Sequence, residues 1–245
     1  MAASQWTVTF QVFRKKDQQP AHFDTFSLSV DPDEYVLDAV ERIWAFHDRS
    51  LVFRHACHHS ACGACGMRVN GVEKLTCITS LRSVTHDGGR VRIEPLRNFP
   101  VVSDLAVDMG SFYLGLEQVR SRQVVPLNQA AAGAGIAPAR EADPALERLV
   151  DCLECGMCVS ACPVALTDPA YQGPAVLASI QAHEPAGRRE LLPAADHQEG
   201  VWRCHSAFEC SAVCPSNVEP AWRIMDLRKV VLARRIREFF YGKEG

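Results

Sequence analysis

Eleven cysteines in a chain of 245 residues are the groups best suited to chemistry. They fall into three runs and are not scattered along the chain. The start of the chain lacks the basic and apolar segments of a secretory signal, and an odd number of cysteines does not suit a disulfide framework. We therefore expect reduced thiols that serve as metal ligands.

The first run has the spacing C-x4-C-x2-C and a fourth cysteine after eleven residues, at Cys57, Cys62, Cys65 and Cys77. The first three spacings match the plant-type [2Fe–2S] pattern, in which a loop wraps around the cluster. Gly63 and Gly66 lie where backbone amides must approach the sulfides, so that a Cβ would interfere. A structural Zn²⁺ site is the alternative, although zinc knuckles favour paired C-x2-C units and this loop has only one.

Three histidines accompany this run, at His55, His58 and His59. They raise the alternative of a Rieske site, in which two histidines replace two cysteines. Because four cysteines are already present, we expect these histidines to face solvent in the loop. The run is therefore assigned to a [2Fe–2S] cluster with four cysteine ligands.

The second run follows the pattern C-x2-C-x2-C-x3-C-P in full, from Cys152 to Pro163. In two-cluster ferredoxins the first three cysteines hold one cubane, and the fourth binds the other cluster. A partner run is required, and Cys204, Cys210 and Cys214 supply it. Crossing the ligands between the runs assigns one [4Fe–4S] cluster to Cys152, Cys155, Cys158 and Cys214.

The remaining cluster receives only three thiolates, from Cys162, Cys204 and Cys210. Ala207 stands where the third run would have its second cysteine, and alanine cannot bind iron. This favours a [3Fe–4S] cluster, with a [4Fe–4S] cluster whose fourth iron binds water as the alternative. Clusters of different type offer a graded set of potentials. Without a nucleophile–base set or a phosphate loop, we expect an electron carrier whose substrate chemistry lies on another polypeptide.

The first hundred residues have the pattern of a small mixed sheet with one helix. Alternating apolar residues predict strands around 8–12 and 26–30, and Val91 with Ile93 predicts a closing strand. Asn70-Gly71 predicts a hairpin with a type I′ turn. These elements together predict a β-grasp fold.

The predicted helix lies between these strands. Asp31 can cap it, Pro32 suits its first turn and Glu34 completes a capping box. Apolar residues at helical spacing, from Val36 onward, extend the prediction to about His47.

The fold class predicted for the whole chain is α+β. An N-terminal β-grasp [2Fe–2S] ferredoxin-like domain at 1–105 and a connecting segment at 106–143 precede an all-α, two-cluster ferredoxin-like domain at 144–245. The Ala-, Gly- and Pro-rich stretch 126–144 cannot build a core element and marks the seam. Helical patterns at 144–151, 174–183 and 221–240 surround the later cysteines.

Composition excludes some classes of partner. A net charge of −3 gives no reason to expect nucleic-acid binding. No stretch of about 18 apolar residues is present, so we expect no membrane span. Any membrane association must then come through a partner, and we expect a peripheral location on the cytoplasmic side of the membrane.

With these motifs the sequence resembles the iron–sulfur subunits of succinate dehydrogenase and fumarate reductase over nearly its whole length. The similarity is carried by Cys57–Gly66 with Cys77, Cys152–Pro163 and Trp202–Pro215, and by Gly173–Ala175 and Glu94–Leu105. The resemblance implies a respiratory complex II, in which an FAD-containing flavoprotein oxidises succinate to fumarate. Electrons would pass through the [2Fe–2S], [4Fe–4S] and [3Fe–4S] clusters in that order to a quinone near membrane-anchor subunits, which can carry haem b.

The resemblance also implies a quinone pocket beside the three-iron cluster. Pro163 and His205 match pocket positions of the family, whereas the tryptophan that many members carry after the Cys-Pro pair is absent from Val164–Thr167. The alternative for His205 is a hydrogen bond to cluster sulfur. Two other classes of carrier stay open, a subunit of a thiol-linked fumarate reductase and a free-standing ferredoxin.

The last part of the chain, 221–245, has seven Arg or Lys residues against three acids and apolar residues at helical spacing. A solvated basic face is one interpretation of this amphipathic pattern. The other is a helix that docks on the membrane anchor near anionic headgroups.

Overall fold

The computed structural model describes residues 5–17, 19–120, 152–183 and 191–242. The chain divides into two compact units, the first from Met1–Met109 with Leu153–Ala161 and the second from Gly110–Cys152 with Cys162–Gly245. The middle of the second cysteine run therefore groups with the first unit, although its sequence position suggested the second domain. The boundaries at 105 and 143 stay predictions, and the seam at 126–144 and the helix at 144–151 lie outside the described residues.

The first unit contains a five-stranded sheet in the order β2-β1-β5-β3-β4. Its strands are β1 (Trp6–Arg14), β2 (His22–Val30), β3 (Gly66–Val69), β4 (Val72–Leu75) and β5 (Arg90–Glu94). β1 runs antiparallel to β2 and parallel to β5, with Phe10 opposite both Phe26 and Val91. A central parallel pair flanked by two antiparallel hairpins is the predicted β-grasp arrangement.

The turn of the second hairpin also agrees with the prediction. Asn70 and Gly71 both have positive φ angles, of 51° and 87°, as a type I′ turn requires. Val69 therefore pairs with Val72 and β4 returns directly alongside β3. A short hairpin that was not predicted, β6 (Val101–Ser103) and β7 (Ala106–Val107), completes the strands of the unit.

Helix α1 (Val36–Phe46) packs its apolar face on the sheet, but it begins later than predicted. Glu34 Oε2 does accept a hydrogen bond from the Asp31 amide, at 3.0 Å, and the two residues close a turn ahead of the helix. The helix is capped instead by Asp38, whose Oδ2 accepts from the Tyr35 amide at 3.0 Å. Two capping boxes thus overlap in the sequence, and the one next to the buried residues starts the helix.

The second unit contains no strand among its described residues, as predicted. Its helices are α2 (Gly110–Arg120), α4 (Pro163–Thr167), α5 (Pro174–His183), α6 (Leu192–Ala195), α7 (Glu209–Ala212) and α8 (Pro220–Tyr241), while the short α3 (Met157–Ser160) belongs to the first unit. α5 lies between α2 and α8. Its core residues Leu177 and Ile180 and the α8 residues Ile224, Leu227 and Val231 are almost completely buried. Within the described ranges, every helix is too short or too polar to cross a membrane.

Candidate metal centres

The four cysteines of the first run converge in the first unit. Their thiols interact in two pairs, Cys57 with Cys62 and Cys65 with Cys77. Cys65 and Cys77 are buried, whereas Cys62 is exposed. The residue before Cys77 is fixed to the loop, because the Thr76 hydroxyl donates to the Cys65 carbonyl at 2.9 Å.

Backbone amides point at the sulfurs of this run. The Ala61 amide lies 3.3 Å from Cys57 Sγ, and the Ser60 amide lies 3.4 Å from Cys77 Sγ. His58 and Ser60 have φ angles of 60° and 59°, and such alternation turns successive N–H groups toward one point and makes an anion-binding concavity. The loop is thus shaped for a negatively charged group.

These surroundings give two thiols of the first run, Cys57 and Cys77, very different pKa values. The His59 amide, which donates to the Cys57 sulfur, lowers the pKa of that thiol to about 6, and further donors there act in the same direction. Burial, assisted by Cys65, raises the pKa of Cys77 to about 11. The exposed end of the loop therefore presents a thiolate at neutral pH.

Gly63 is required for a reason that spacing alone does not show. Its φ angle is +70°, and an added Cβ would lie 2.8 Å from Cys155 Cβ and 2.9 Å from the Leu153 carbonyl. The glycine lets the second cysteine run approach the first. At Gly66 a Cβ would make only ordinary contacts, the closest at 3.5 Å, so the described atoms give no steric reason for a glycine there.

The predicted [4Fe–4S] ligands are divided between the two units. In the first unit, which holds Cys155 and Cys158, the segment is tied down through Ser160, whose hydroxyl donates to Glu73 at 2.8 Å and accepts from the Arg97 amide at 2.8 Å. In the second unit Cys152 and Cys214 pack around buried Val218. The shared four-cysteine site stays a prediction.

The three cysteines assigned to the remaining cluster lie around one cavity in the second unit. Cys162, Cys204 and Cys210 line this space, and Ala207 lines it with them. The loop from Cys204 to Cys210 has positive φ angles at Ser206 and Phe208, of 58° and 63°, and the Ser206 amide lies 3.4 Å from Cys204 Sγ. It is therefore a second concavity lined by N–H groups.

Burial in the cavity disfavours the ionised form of two thiols, Cys162 and Cys210. Burial, reinforced by the charges of Cys162 and Cys204, raises the pKa of Cys210 to about 12. Burial also raises the pKa of Cys162. The Tyr171 hydroxyl lines the same cavity, is buried and interacts with the Cys204 thiol. Three thiols and a buried O–H donor beside them fit an iron–sulfur cluster, whose irons bind thiolates and whose sulfides accept hydrogen bonds.

Comparison with known proteins agrees with both halves of this arrangement. Residues 9–114 match the family described as a 2Fe-2S iron-sulfur cluster binding domain, and residues 148–218 match a 4Fe-4S dicluster domain. A fumarate reductase iron–sulfur subunit from Mycobacterium tuberculosis is 33% identical over 244 residues, which is 95% of each chain. The succinate dehydrogenase iron–sulfur subunit of Coxiella burnetii is 30% identical over 92% of this chain and 97% of its own.

The chain belongs to the fumarate reductase and succinate dehydrogenase iron–sulfur subunit family. A chain of the Mycobacterium smegmatis Sdh1 complex in the apo form shares the fold, with a TM-score of 0.79 at 24% identity over 95% of this chain and 98% of that one. The chain is thus an iron–sulfur subunit of an oxidoreductase complex, with a [2Fe–2S] domain and a [4Fe–4S] dicluster domain.

In this iron–sulfur subunit, Arg228 has a role that the sequence pattern did not suggest. The pattern placed it on a basic helix face, but its guanidinium donates to the carbonyls of Val201 and Cys204 and to the Ser206 hydroxyl, the first at 3.0 Å and the last at 3.1 Å. It therefore ties the loop of Cys204 to α8. The sequence pattern does not distinguish Arg228 from the other arginines of α8. Its role becomes visible only because the Cys204 loop lies against this part of the helix.

The two residues that the resemblance assigned to a quinone pocket also line the cavity of the second unit. Pro163 follows Cys162 at the start of α4, and His205 follows Cys204. Both are exposed, whereas Cys162 and Cys210 are buried. The structure thus brings together all of the predicted residues of this region, with Pro163 and His205 accessible from outside.

Proposed function

We propose that this chain conducts electrons between an FAD-containing flavoprotein, which interconverts succinate and fumarate, and a membrane quinone. Fumarate reductase and succinate dehydrogenase, the enzymes named for its relatives, support this proposal. The clusters, when bound, supply one-electron steps in the order [2Fe–2S], [4Fe–4S], [3Fe–4S]. Purification from the native host should bring the flavoprotein with the chain, whereas a free carrier would elute alone.

The chain's own part is to hold the clusters and set their surroundings. Cys57, Cys62, Cys65 and Cys77 would hold [2Fe–2S], and Cys152, Cys155, Cys158 and Cys214 would hold [4Fe–4S]. Cys162, Cys204 and Cys210 would hold [3Fe–4S]. The observation that carries this assignment is the cavity in which three thiols and the methyl group of Ala207 face one space.

Ala207 decides between two forms of the last cluster. The matched dicluster family is described by two 4Fe–4S centres, and a water molecule could complete a fourth iron. Three thiolates without a fourth side-chain ligand favour the three-iron form. Total iron should then be about nine per chain, the sum of two, four and three. The oxidised protein should show the EPR signal of a three-iron centre, and a silent oxidised protein with about ten irons would contradict the assignment.

A quinone would bind at the exposed edge of the same cavity, next to Pro163 and His205. An imidazole there can donate a hydrogen bond to a quinone oxygen or to a cluster sulfide. In the assembled complex, His205→Ala should weaken quinone reduction more than electron delivery to an artificial acceptor. Equal loss in both assays would contradict the quinone role, and His197→Ala serves as the control because that histidine contacts Glu199 and the Ala194 carbonyl instead.

Membrane-anchor subunits, which can carry haem b, would place the chain on the cytoplasmic face of the membrane. The end of α8 is suited to such contact because Phe239, Phe240 and Tyr241 are 83%, 70% and 86% exposed. The charge of α8 contributes less than its sequence suggests, since Arg223 is buried and Arg228 is bound to the Cys204 loop. Other basic residues of α8 form ion pairs, Lys229 with Asp226, Arg234 with Glu238 and Arg235 with Asp196.

The aromatic end of α8 can be tested without damage to the core. Removal of the last twenty residues would also remove buried Leu227 and Val231, so substitution is the sharper test. Phe239→Ser combined with Phe240→Ser should release the chain from membranes while its iron content stays constant. Leu166→Ser, at a residue that is 60% exposed on α4, is the matched control. Full retention of the double variant on membranes would contradict anchoring through this end.

A further inference from the structure

Three side chains that can bind a metal, none of them a cysteine, meet in the first unit. Glu41 projects from α1, His55 lies two residues before Cys57, and His58 directly follows that cysteine. His55 Nδ1 is 3.0 Å from Glu41 Oε1, His58 Nε2 is 3.2 Å from the same oxygen, and the two ring nitrogens are 3.2 Å apart. The three atoms therefore form a nearly equilateral triangle.

The size of this triangle fits a single metal ion. Nitrogen and oxygen ligands lie about 2.1 Å from Zn²⁺, which places neighbouring ligand atoms about 3.0 Å apart in an octahedron and about 3.4 Å apart in a tetrahedron. The observed separations lie within that interval, so one ion can be at bonding distance from all three atoms at once. Two imidazoles with one carboxylate suit Zn²⁺, Ni²⁺ or Cu²⁺, whereas Mg²⁺ and Ca²⁺ prefer oxygen ligands alone.

A hydrogen-bonded cluster without a metal explains the same residues less well. Glu41 Oε1 is buried, and no described group donates to it with good hydrogen-bond geometry, although both ring nitrogens are near. A buried carboxylate oxygen without an aligned donor is costly, and a cation bound just above the plane of the triangle would remove that cost. The rings are also held in place, because His55 stacks on Phe53 at 5.0 Å and meets His58 edge to face at 5.3 Å.

We propose that Glu41, His55 and His58 form a binding site for a divalent transition-metal ion of the Zn²⁺ type, with the remaining coordination positions open to water. The bound ion links α1 to the loop of the first cysteine run. It also places positive charge close to Cys57 and raises the reduction potential of a neighbouring cluster. This last effect rests on the proposed function, whereas binding of the ion does not.

The test counts zinc on the full-length, cluster-loaded chain. The chain is dialysed anaerobically against a series of free Zn²⁺ concentrations, and zinc and iron are measured by elemental analysis. Glu41→Gln and His58→Asn should each weaken zinc binding at least ~10-fold, the loss that follows even the removal of an outer partner of a ligand. Asparagine is chosen at position 58 because it tolerates the left-handed backbone found there, with φ +60°.

The matched control removes a histidine from a comparable pair. His197 lies 3.2 Å from Glu199, and the two side chains are 39% and 42% exposed, but they form a pair and not a triangle. His197→Gln should bind zinc as the native chain does. Equal zinc binding by native chain and Glu41→Gln, or an equal loss in His197→Gln, would overturn the site.

The iron content of the chain allows the metal site to be tested independently of the proposed function. About nine irons with no zinc difference between native chain and Glu41→Gln would reject the metal site alone, and a different iron count with the predicted zinc difference would reject the cluster assignment alone. If the variants lose iron, the native chain gives a second measurement. Addition of Ni²⁺, but not Mg²⁺, should speed the spin relaxation of the reduced [2Fe–2S] EPR signal, and unchanged relaxation would overturn the site.

Discussion

Cys57 of the first cysteine run and Cys210 in the cavity of the second unit are thiols in opposite surroundings. In the first run Cys62 is exposed, and backbone amides lower the pKa of Cys57 to about 6. In the cavity Cys210 is buried among other thiols, and its pKa rises to about 12. Both sites use loops with alternating left-handed residues. The difference comes from the backbone N–H groups directed at Cys57 and from the burial of Cys210, and burial likewise raises the pKa of Cys77 inside the first run.

This contrast indicates two ways to prepare a site for iron. The exposed loop presents a thiolate before any metal arrives, because N–H donors stabilise the charged form. The buried cavity disfavours that charge, so iron must displace the protons and supply the compensating charge itself. Thiol pKa values, ligand number, backbone fit and hydrogen bonding to the cluster each offer a way to test the comparison.

Thiol reactivity should differ most. In cluster-free chain at pH 7, iodoacetamide should modify Cys57 orders of magnitude faster than Cys210, since a thiol of pKa about 6 is mostly thiolate there and one of pKa about 12 is almost wholly protonated. Labelling of Cys57 should fall as the pH drops below about 6, because the thiolate is then protonated. Mass spectrometry after timed quenching measures both rates. Unfolding in urea should abolish the difference, and similar rates in folded chain would contradict the contrast.

A change in the number of cysteine thiols at the cavity should give the second largest effect. Ala207→Cys places a fourth thiol at the cavity and should convert the proposed three-iron cluster into a cubane, raising iron from the expected count of about nine to about ten per chain and removing the expected three-iron EPR signal. Ala212→Cys adds a thiol at an exposed position of α7, outside the lining of the cavity, and should leave both unchanged. Persistence of the three-iron signal in Ala207→Cys would show that position 207 does not face the cluster.

The close approach of Cys155 to Gly63 predicts a smaller effect, on the stability of the first unit and on its cluster. Gly63→Ala combines a left-handed backbone with a Cβ contact of 2.8 Å, so it should cost about 1–3 kcal/mol for the strained backbone alone and weaken retention of the [2Fe–2S] cluster. Gly88→Ala carries a similar φ of +73° with nothing within 4 Å of the added Cβ. Chemical denaturation and the rate of iron release to a chelator compare the two. Equal effects would show that backbone strain, and not the neighbouring cysteine run, makes glycine necessary.

Loss of a hydrogen-bond donor at the cavity should give the smallest effect, a shift in reduction potential. A donor to cluster sulfide raises the reduction potential, so Tyr171→Phe should lower the potential of the three-iron centre. A net hydrogen bond of about 1 kcal/mol corresponds to roughly 40 mV for a one-electron couple. Redox titration followed by EPR measures the shift. Tyr35→Phe, at a residue that is 43% exposed in the first unit, is the control, and an unchanged potential in Tyr171→Phe would contradict the role of the hydroxyl.

Cysteine spacing was enough to propose ligand sets, because iron geometry restricts how far apart thiolates can lie along a loop, and these sets stay predictions. The gap at Ala207 was visible for the same reason, and the strands of the β-grasp unit followed from alternating burial. The predicted start of α1 was wrong because two pairs of residues form capping contacts. Asp31 pairs with Glu34, and Tyr35 pairs with Asp38. The local sequence does not show which of the two capping contacts starts the helix. The start depends on which turn packs its apolar residues on the sheet.

Other features depended on contacts between segments far apart in the chain. Leu153–Ala161 groups with the first unit through Glu73, Arg97 and Asn98, which lie well before it in the chain. The same kind of long-range packing explains why Gly63 must lack a side chain and why Arg228 holds the Cys204 loop. Residue types and spacing therefore specified which atoms can bind iron, because coordination chemistry is local. Burial, thiol acidity and the meeting of Glu41 with two histidines required the folded chain, because each depends on groups that only folding brings within a few ångströms.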